Sequence, residues 1–130
     1  MKTKSVGLIG VGLLGSALAN RLLNNDIGVH GFDTNERQLE ALSQNGGIAC
    51  DSAAEVVQKC NVLFLSLLSS DEVLSLVRQL RTDFKPSQIV VDTTTGDPQQ
   101  VVAVGKSLAE LEVSYLEATV AGSSAQITTG

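Results

Sequence analysis

Gly10, Gly12 and Gly15 stand at G-x-G-x-x-G spacing inside the stretch Val6-Gly-Leu-Ile-Gly-Val-Gly-Leu-Leu-Gly-Ser-Ala-Leu-Ala. Glycines so placed do their chemistry through the main chain. The first permits a tight turn off a buried strand, the second leaves room for a diphosphate against the backbone, and the third lets a helix lie close to the sheet. The free N–H groups opening that helix, together with the positive end of its dipole, then face the phosphates. Gly10, Val11, Gly12, Leu13, Leu14 and Gly15 are therefore the candidate phosphate cradle.

A glycine-rich turn alone is a weak signal, because glycine also serves packing, and its context decides. An apolar strand should precede it, a helix should follow, and an acidic residue should end the next strand roughly 20 positions on. Ile27-Gly-Val-His-Gly-Phe32 provides that strand and Asp33 that acid. A carboxylate there accepts both hydroxyls of an adenosine ribose and repels a 2′-phosphate; its competing role is to cap the next helix. Thr34-Asn35 after it lacks a basic residue, which favours NAD as the cofactor, while Arg37 is close enough to keep NADP open. His30 lies two positions from Phe32 on the same strand face and reads as a core or cap residue rather than a catalytic one.

The elements that must position these residues follow from apolar spacing. A helix is expected over 13–24, with Leu14, Ala17, Leu18 and Leu22 facing the sheet. Asn35 and Gln38 have capping-box spacing before a helix ended by Asn45-Gly46-Gly47, and a short edge strand is expected near Ile48-Ala49. Ser52 with Glu55 opens another short helix, and Asn61-Val-Leu-Phe-Leu-Ser-Leu-Leu68 reads as a central parallel strand covered on both faces. Ser69-Ser70-Asp71-Glu72 caps a helix carrying Val73, Val77 and Leu80 that is expected to run until Lys85-Pro86 stops it. Gln88 to Asp92 is the next strand. Asp97 as cap, Pro98 at the first position and Gln100 at the third then start a helix with Val101, Val104, Leu108 and Leu111 inward, before a sixth strand near Ser114 to Ala118.

Strand and helix alternate throughout, which predicts an α/β fold: a doubly wound parallel sheet with helices on both faces and right-handed crossovers. Ligands of such sheets bind beyond the carboxyl ends of the strands, where strand order reverses. Gly12, Asp33, Leu67, Thr95 and Gly122 all fall at those ends.

Composition narrows the partners. A chain of 130 residues with 43% hydrophobic content buries one core, about the size of a single domain. A net charge of -5 and a pI near 4.7 argue against a nucleic-acid surface. No apolar run approaches the roughly 20 residues of a membrane span. Met1-Lys-Thr-Lys leads straight into a strand rather than an apolar leader, so a cytoplasmic location is expected. Cys50 and Cys60 are too far apart for a CxxC pair and the chain has 1 histidine, so no metal site is expected and both thiols read as inert core residues.

With these segments in place, the chain resembles the amino-terminal part of the β-hydroxyacid dehydrogenases, the family of 3-hydroxyisobutyrate dehydrogenase, tartronate semialdehyde reductase and, more distantly, 6-phosphogluconate dehydrogenase. The resemblance runs from Val6 to Gly130 and implies a Rossmann-type NAD(P)-binding domain. The glycine stretch matches the family's opening pattern, with Leu14 and Leu18 where methionines are usual, swaps that keep volume. Leu65-Ser-Leu67-Leu68-Ser-Ser is similar to the family's loop after the fourth strand, which lies along the cofactor, with Leu68 where a proline is typical. Asp92-Thr-Thr-Thr95-Gly-Asp-Pro98 is similar to the family's Asp-x-Ser-Thr-x-x-Pro, in which the residue matching Thr95 contacts the nicotinamide half; turn capping is the competing role of Thr94 and Thr95. Glu117-Ala-Thr-Val-Ala121-Gly122-Ser123 resembles the family's substrate motif, which implies that Ala121, Gly122 and Ser123 hold a substrate carboxylate. Ala121 occupies the usual serine position and Ser123 offers a hydroxyl two residues on; a plain glycine turn is the competing reading.

Family members continue into a mostly helical second domain carrying the lysine that acts as general acid and base. The chain ends at Gly130, and neither Lys85 nor Lys106 has a matching context, so no catalytic residue is assigned. Residues 1–130 are expected to form the NAD(P)-binding domain without the helical carboxyl-terminal domain. The resemblance implies an oxidoreductase moving hydride between a nicotinamide cofactor and a small β-hydroxyacid or semialdehyde, homo-oligomeric at full length, with this stretch binding cofactor but not turning over. The alternative is a non-catalytic dinucleotide-binding module used in sensing or assembly. A third class, S-adenosylmethionine-dependent methyltransferases, fits the Thr95 and Gly122 motifs poorly.

Overall fold

Residues 4–94 and 96–118 are described by the computed structural model. The first strand, β1 (Lys4–Ile9), shows by its alternation that both faces of the sheet are covered. Leu8 packs with Val11, Ala19, Leu23 and Val29, whereas Ile9 packs on the other side with Val56, Val57, Leu63 and Leu65. The remaining elements follow in strict alternation: α1 (Leu13–Asn24), β2 (Ile27–Phe32), α2 (Glu36–Gln44), β3 (Ile48–Ala49), α3 (Ala53–Lys59), β4 (Val62–Leu65), α4 (Ser70–Gln79), β5 (Ile89–Asp92), α5 (Pro98–Ala109) and β6 (Ser114–Glu117).

All the strand pairings are parallel and the order is β3-β2-β1-β4-β5-β6, so the chain reverses direction across the sheet between β1 and β4. That reversal opens a crevice at the carboxyl ends of the two central strands. Helices α1 and α2 cover one face, over β1 and β2; α3, α4 and α5 cover the other, where Val73, Val77, Val90, Val104 and Leu108 are fully buried. On the α1 side, Phe64, Val91 and Leu116 form one register row that grades from half-buried to exposed towards the β6 edge.

Several expectations are corrected. The buried stripe of α1 is Gly15, Ala19 and Leu23 with Ala17, not Leu14, Leu18 and Leu22, because the backbone at Gly15 sits directly on the glycine turn and rotates the small residues inward. Leu18 and Leu22 pack at the margin of that core. β4 is shorter than the apolar run, stopping at Leu65, after which Ser66 to Ser69 form a loop. α4 ends at Gln79, well before Pro86, as the amides of Leu80 and Arg81 meet the Leu76 and Arg78 carbonyls and those of Asp83 and Phe84 meet the carbonyl of the capping Leu80 in tightening turns. Asn35 caps α2 through the Arg37 amide rather than closing a box with Gln38, and Gln100 does not fold back on Asp97. The Ser52 and Ser69 caps form as expected, each accepting from the amide three residues on.

Among the described residues no helix is long and apolar enough to cross a membrane, and no group of three His, Cys, Asp or Glu side chains is placed to hold a metal. Cys50 and Cys60 are buried and unpaired. Burial, with Glu55 nearby, pushes the Cys50 thiol up to about 11, so it is protonated and inert at neutral pH.

Candidate functional site

The three glycines differ in what a side chain would meet there. At Gly10, φ is +95°, and a Cβ would lie 2.1 Å from the Ser66 carbonyl oxygen. At Gly15 a Cβ would lie 2.2 Å from the Gly10 carbonyl oxygen. Both positions are closed to every other residue by backbone contact. At Gly12 a Cβ would meet nothing within 4 Å, and φ is an ordinary -80°. The fold therefore has no internal need for glycine at position 12. The space it leaves opens outward, at the start of α1, which has no side-chain cap and no acidic residue in its first turn. Amides opening a helix without an internal partner are donors for an anion. A diphosphate fits this cradle in charge and hydrogen-bonding sense.

Asp33 follows β2 at the same edge. Its Oδ2 accepts from the Val11 amide at 2.7 Å and its Oδ1 from the Asn35 amide at 2.8 Å. One carboxylate thus ties the glycine turn to the β2–α2 loop, and each oxygen retains a further lone pair for a ribose hydroxyl. The capping role goes to Asn35, so Asp33 is not spent on the helix.

Gly10, Gly12, Asp33, Thr34, Leu67 and Leu68 line one cavity of about 610 Å³ together with Phe32, Asn35, Gln38, Ala53, Ser66, Asp71, Glu72, Ser75, Leu76 and Gln79. Ile9, Phe32, Ala53, Leu67 and Leu76 give its lining an apolar share that suits a flat ring, and its charged lining residues, Asp33, Asp71 and Glu72, are acidic. Leu68 stands 90% exposed beside it, and Leu13, opening α1, is 80% exposed. Val11 is buried beneath the turn and Leu14 is half-buried. Thr95, Ala121, Gly122 and Ser123 lie outside the described residues. His30 is a half-buried mid-strand residue of β2, paired between Gly7 and Ile48, and its Nδ1 is buried without a partner.

At the neighbouring strand ends, hydroxyls join the loops. The Leu67 amide donates to Thr94 Oγ1 at 3.0 Å, and Thr93 Oγ1 donates to the Leu65 carbonyl at 2.7 Å. Asp92, 2% exposed, accepts from the Thr94 amide at 2.9 Å and from the Tyr115 hydroxyl at 2.6 Å. Burial first, and then this carboxylate, hold the Tyr115 hydroxyl well above its usual range. The pairing of Asp92 with Tyr115 is not legible in the sequence, where Asp92 stands only in the stretch similar to the family's Asp-x-Ser-Thr-x-x-Pro.

Lysines are absent from this crevice among the described residues. Lys59 pairs with Glu55, Lys85 donates to the Gln58 carbonyl at the opposite end of the sheet, and Lys106 lies in the last turn of α5.

A family model described as the NAD binding domain of 6-phosphogluconate dehydrogenase matches residues 5–130. An L-threonate dehydrogenase from Cupriavidus necator is 28% identical over 131 aligned residues, covering 98% of this chain and 44% of the relative. A Mycobacterium tuberculosis 3-hydroxyisobutyrate dehydrogenase structure with L-serine superposes at TM-score 0.92 and 19% identity, over 96% of this chain and 43% of that one. A Myxococcus stipitatus imine reductase variant in complex with NAD+ superposes at TM-score 0.84 and 19% identity, over 96% and 42%. The chain thus spans less than half the length of the relatives it matches.

Proposed function

The chain belongs to the family of the 6-phosphogluconate dehydrogenase NAD-binding domain, and from that premise we propose that it serves an oxidoreductase acting on a small β-hydroxyacid or its semialdehyde. The observation that carries the reading is the contrast among the glycines: two are demanded by the fold, and Gly12 only by something outside it. The amides over Gly12 to Gly15 hold the diphosphate, with Leu13 and Leu14 opening the helix. Asp33 and Thr34 take the adenosine ribose, and Asp33 also keeps the turn in shape through Val11. Leu67, Leu68 and Thr95 lie along the nicotinamide half, and Ala121, Gly122 and Ser123 take the substrate carboxylate. When bound, the nicotinamide supplies the hydride acceptor or donor. This chain's residues bind and orient it and, through the leucines, exclude water.

NAD is preferred over NADP, because the cavity lining carries Asp33, Asp71 and Glu72 and a 2′-phosphate brings more negative charge. No described lysine reaches the crevice, so proton transfer falls to a part of the protein beyond this domain, and these 130 residues bind cofactor without turnover. Two free thiols suit a reducing compartment, and we assign the protein to the cytoplasm as a homo-oligomer at full length. Calorimetric titration with NADH and NADPH tests the reading. The expected result is NADH binding with a preference of roughly tenfold, about 1.4 kcal/mol, relaxed in Asp33→Ala. Absence of binding by either dinucleotide overturns it.

A further inference from the structure

Ser70 is the first residue of α4, yet its hydroxyl serves nothing in its own helix. Ser69 is the N-cap, accepting from the Glu72 amide, and that job is done without Ser70. Ser70 is 4% exposed, and its Oγ reaches across to the loop before α5. It accepts from the Asp97 amide at 3.0 Å and donates to Gln100 Oε1 at 2.5 Å. Gln100 Nε2 in turn donates to Asp71, the next residue of α4. Both hydrogen-bonding senses of one buried hydroxyl are therefore spent on joining two helix starts that lie 30 positions apart in sequence.

Gly96 shows how closely the two loops meet. A Cβ at that position would lie 2.6 Å from the Ser70 Cβ and 2.9 Å from its Oγ, so any larger residue pushes the loops apart. A second tie runs parallel to the first, from the Leu67 amide to Thr94 Oγ1. The β4–α4 loop also touches the phosphate turn, since Ser66 and Leu67 are the atoms nearest a Cβ at Gly10. A dinucleotide whose ribose is at Asp33 and whose diphosphate is at Gly12 extends, in a sheet of this order, over the ends of β4 and β5. Those are the two loops that Ser70 joins.

We propose that Ser70 is a positioning residue that sets the spacing of the β4–α4 and β5–α5 loops and thereby the site for the nicotinamide half of the cofactor. The inference rests on the dinucleotide reading given above. It separates the two ends of the ligand: losing the Ser70 hydroxyl loosens the nicotinamide end and leaves the adenosine end intact.

The test is paired calorimetry of the 130-residue chain with NADH and with ADP-ribose, which lacks the nicotinamide, alongside thermal melts. Ser70→Ala is expected to weaken NADH about fivefold while leaving ADP-ribose within a factor of two. Gln100→Ala, at the helix surface, removes the same acceptor without opening the core and is expected to act in the same direction, which keeps the test decisive should Ser70→Ala fail to fold. Parallel loss of both ligands, or no change in either, overturns the proposal and leaves Ser70 a structural residue. Wild-type chain that binds neither ligand overturns the dinucleotide reading itself, a result distinct from either.

Discussion

At the carboxyl ends of β1 and β2 the loops are shaped by glycine and one carboxylate, whereas at the ends of β4 and β5 they are held by hydroxyls bonded across 27 to 30 positions of sequence. In the first region the main chain is left bare at Gly10, Gly12 and Gly15, and one side chain, Asp33, ties the turn to the next loop. In the second, main-chain groups are brought into place by Thr93, Thr94, Ser70 and the buried Asp92. The first arrangement tolerates no added atoms at Gly10 and Gly15; the second tolerates substitution with a graded loss.

Breaking the first region gives the largest effects. Gly15→Ala drives a Cβ into the Gly10 carbonyl, and a loss of at least about 3 kcal/mol in urea unfolding is expected, since neither backbone can yield. Gly12→Val sharpens the distinction within the same turn. Its side chain enters open space, so the urea midpoint should be unchanged while NADH affinity falls by about 100-fold, roughly 2.7 kcal/mol.

The second region responds less steeply. Tyr115→Phe removes one of two donors to the buried Asp92 carboxylate, and a loss of about 1.5–3 kcal/mol is expected by denaturant unfolding. Thr94→Val keeps the shape and leaves the Leu67 amide without its acceptor, for a loss of about 1 kcal/mol, read in the same way, with faster hydrogen exchange at Leu67. The smallest contrast is in pH. Cys50 has an ordinary value of 9.0 and is held near 11 in the folded chain, so the unfolded chain releases the proton first. Stability should be level with respect to this group below about pH 9 and fall as pH rises towards 11, and Cys50→Ala should flatten that fall in a pH series of urea melts.

The same contrast separates what is legible in the sequence from what is not. The glycine spacing, the strand ending in Asp33 and the Ser52 and Ser69 caps are local, and each was read from residues a few positions apart. Sequence points to Leu14, Leu18 and Leu22 for the sheet-facing stripe of α1 because leucines outrank small residues by hydrophobicity, while the close approach at Gly15 favours Ala19 over Leu18. Sequence carries α4 too far along because Pro86 is a visible stop, whereas the real stop is a set of turn hydrogen bonds around Leu80. Gln100 was read as the third residue of a helix start, and its actual partners Ser70 and Asp71 belong to another helix.

Sequence by itself determined the alternation of strand and helix, the glycine turn and the acid beyond the second strand, since periodicity, glycine conformation and charge act over one or two turns of chain. Tertiary structure alone decided that Asp33 holds the turn through Val11, that a side chain at Gly12 would meet nothing while one at Gly10 or Gly15 would strike backbone, and that one buried serine joins two loops. Those are contacts between distant segments. Their energies depend on distances that the folded sheet sets and that spacing along the chain does not encode.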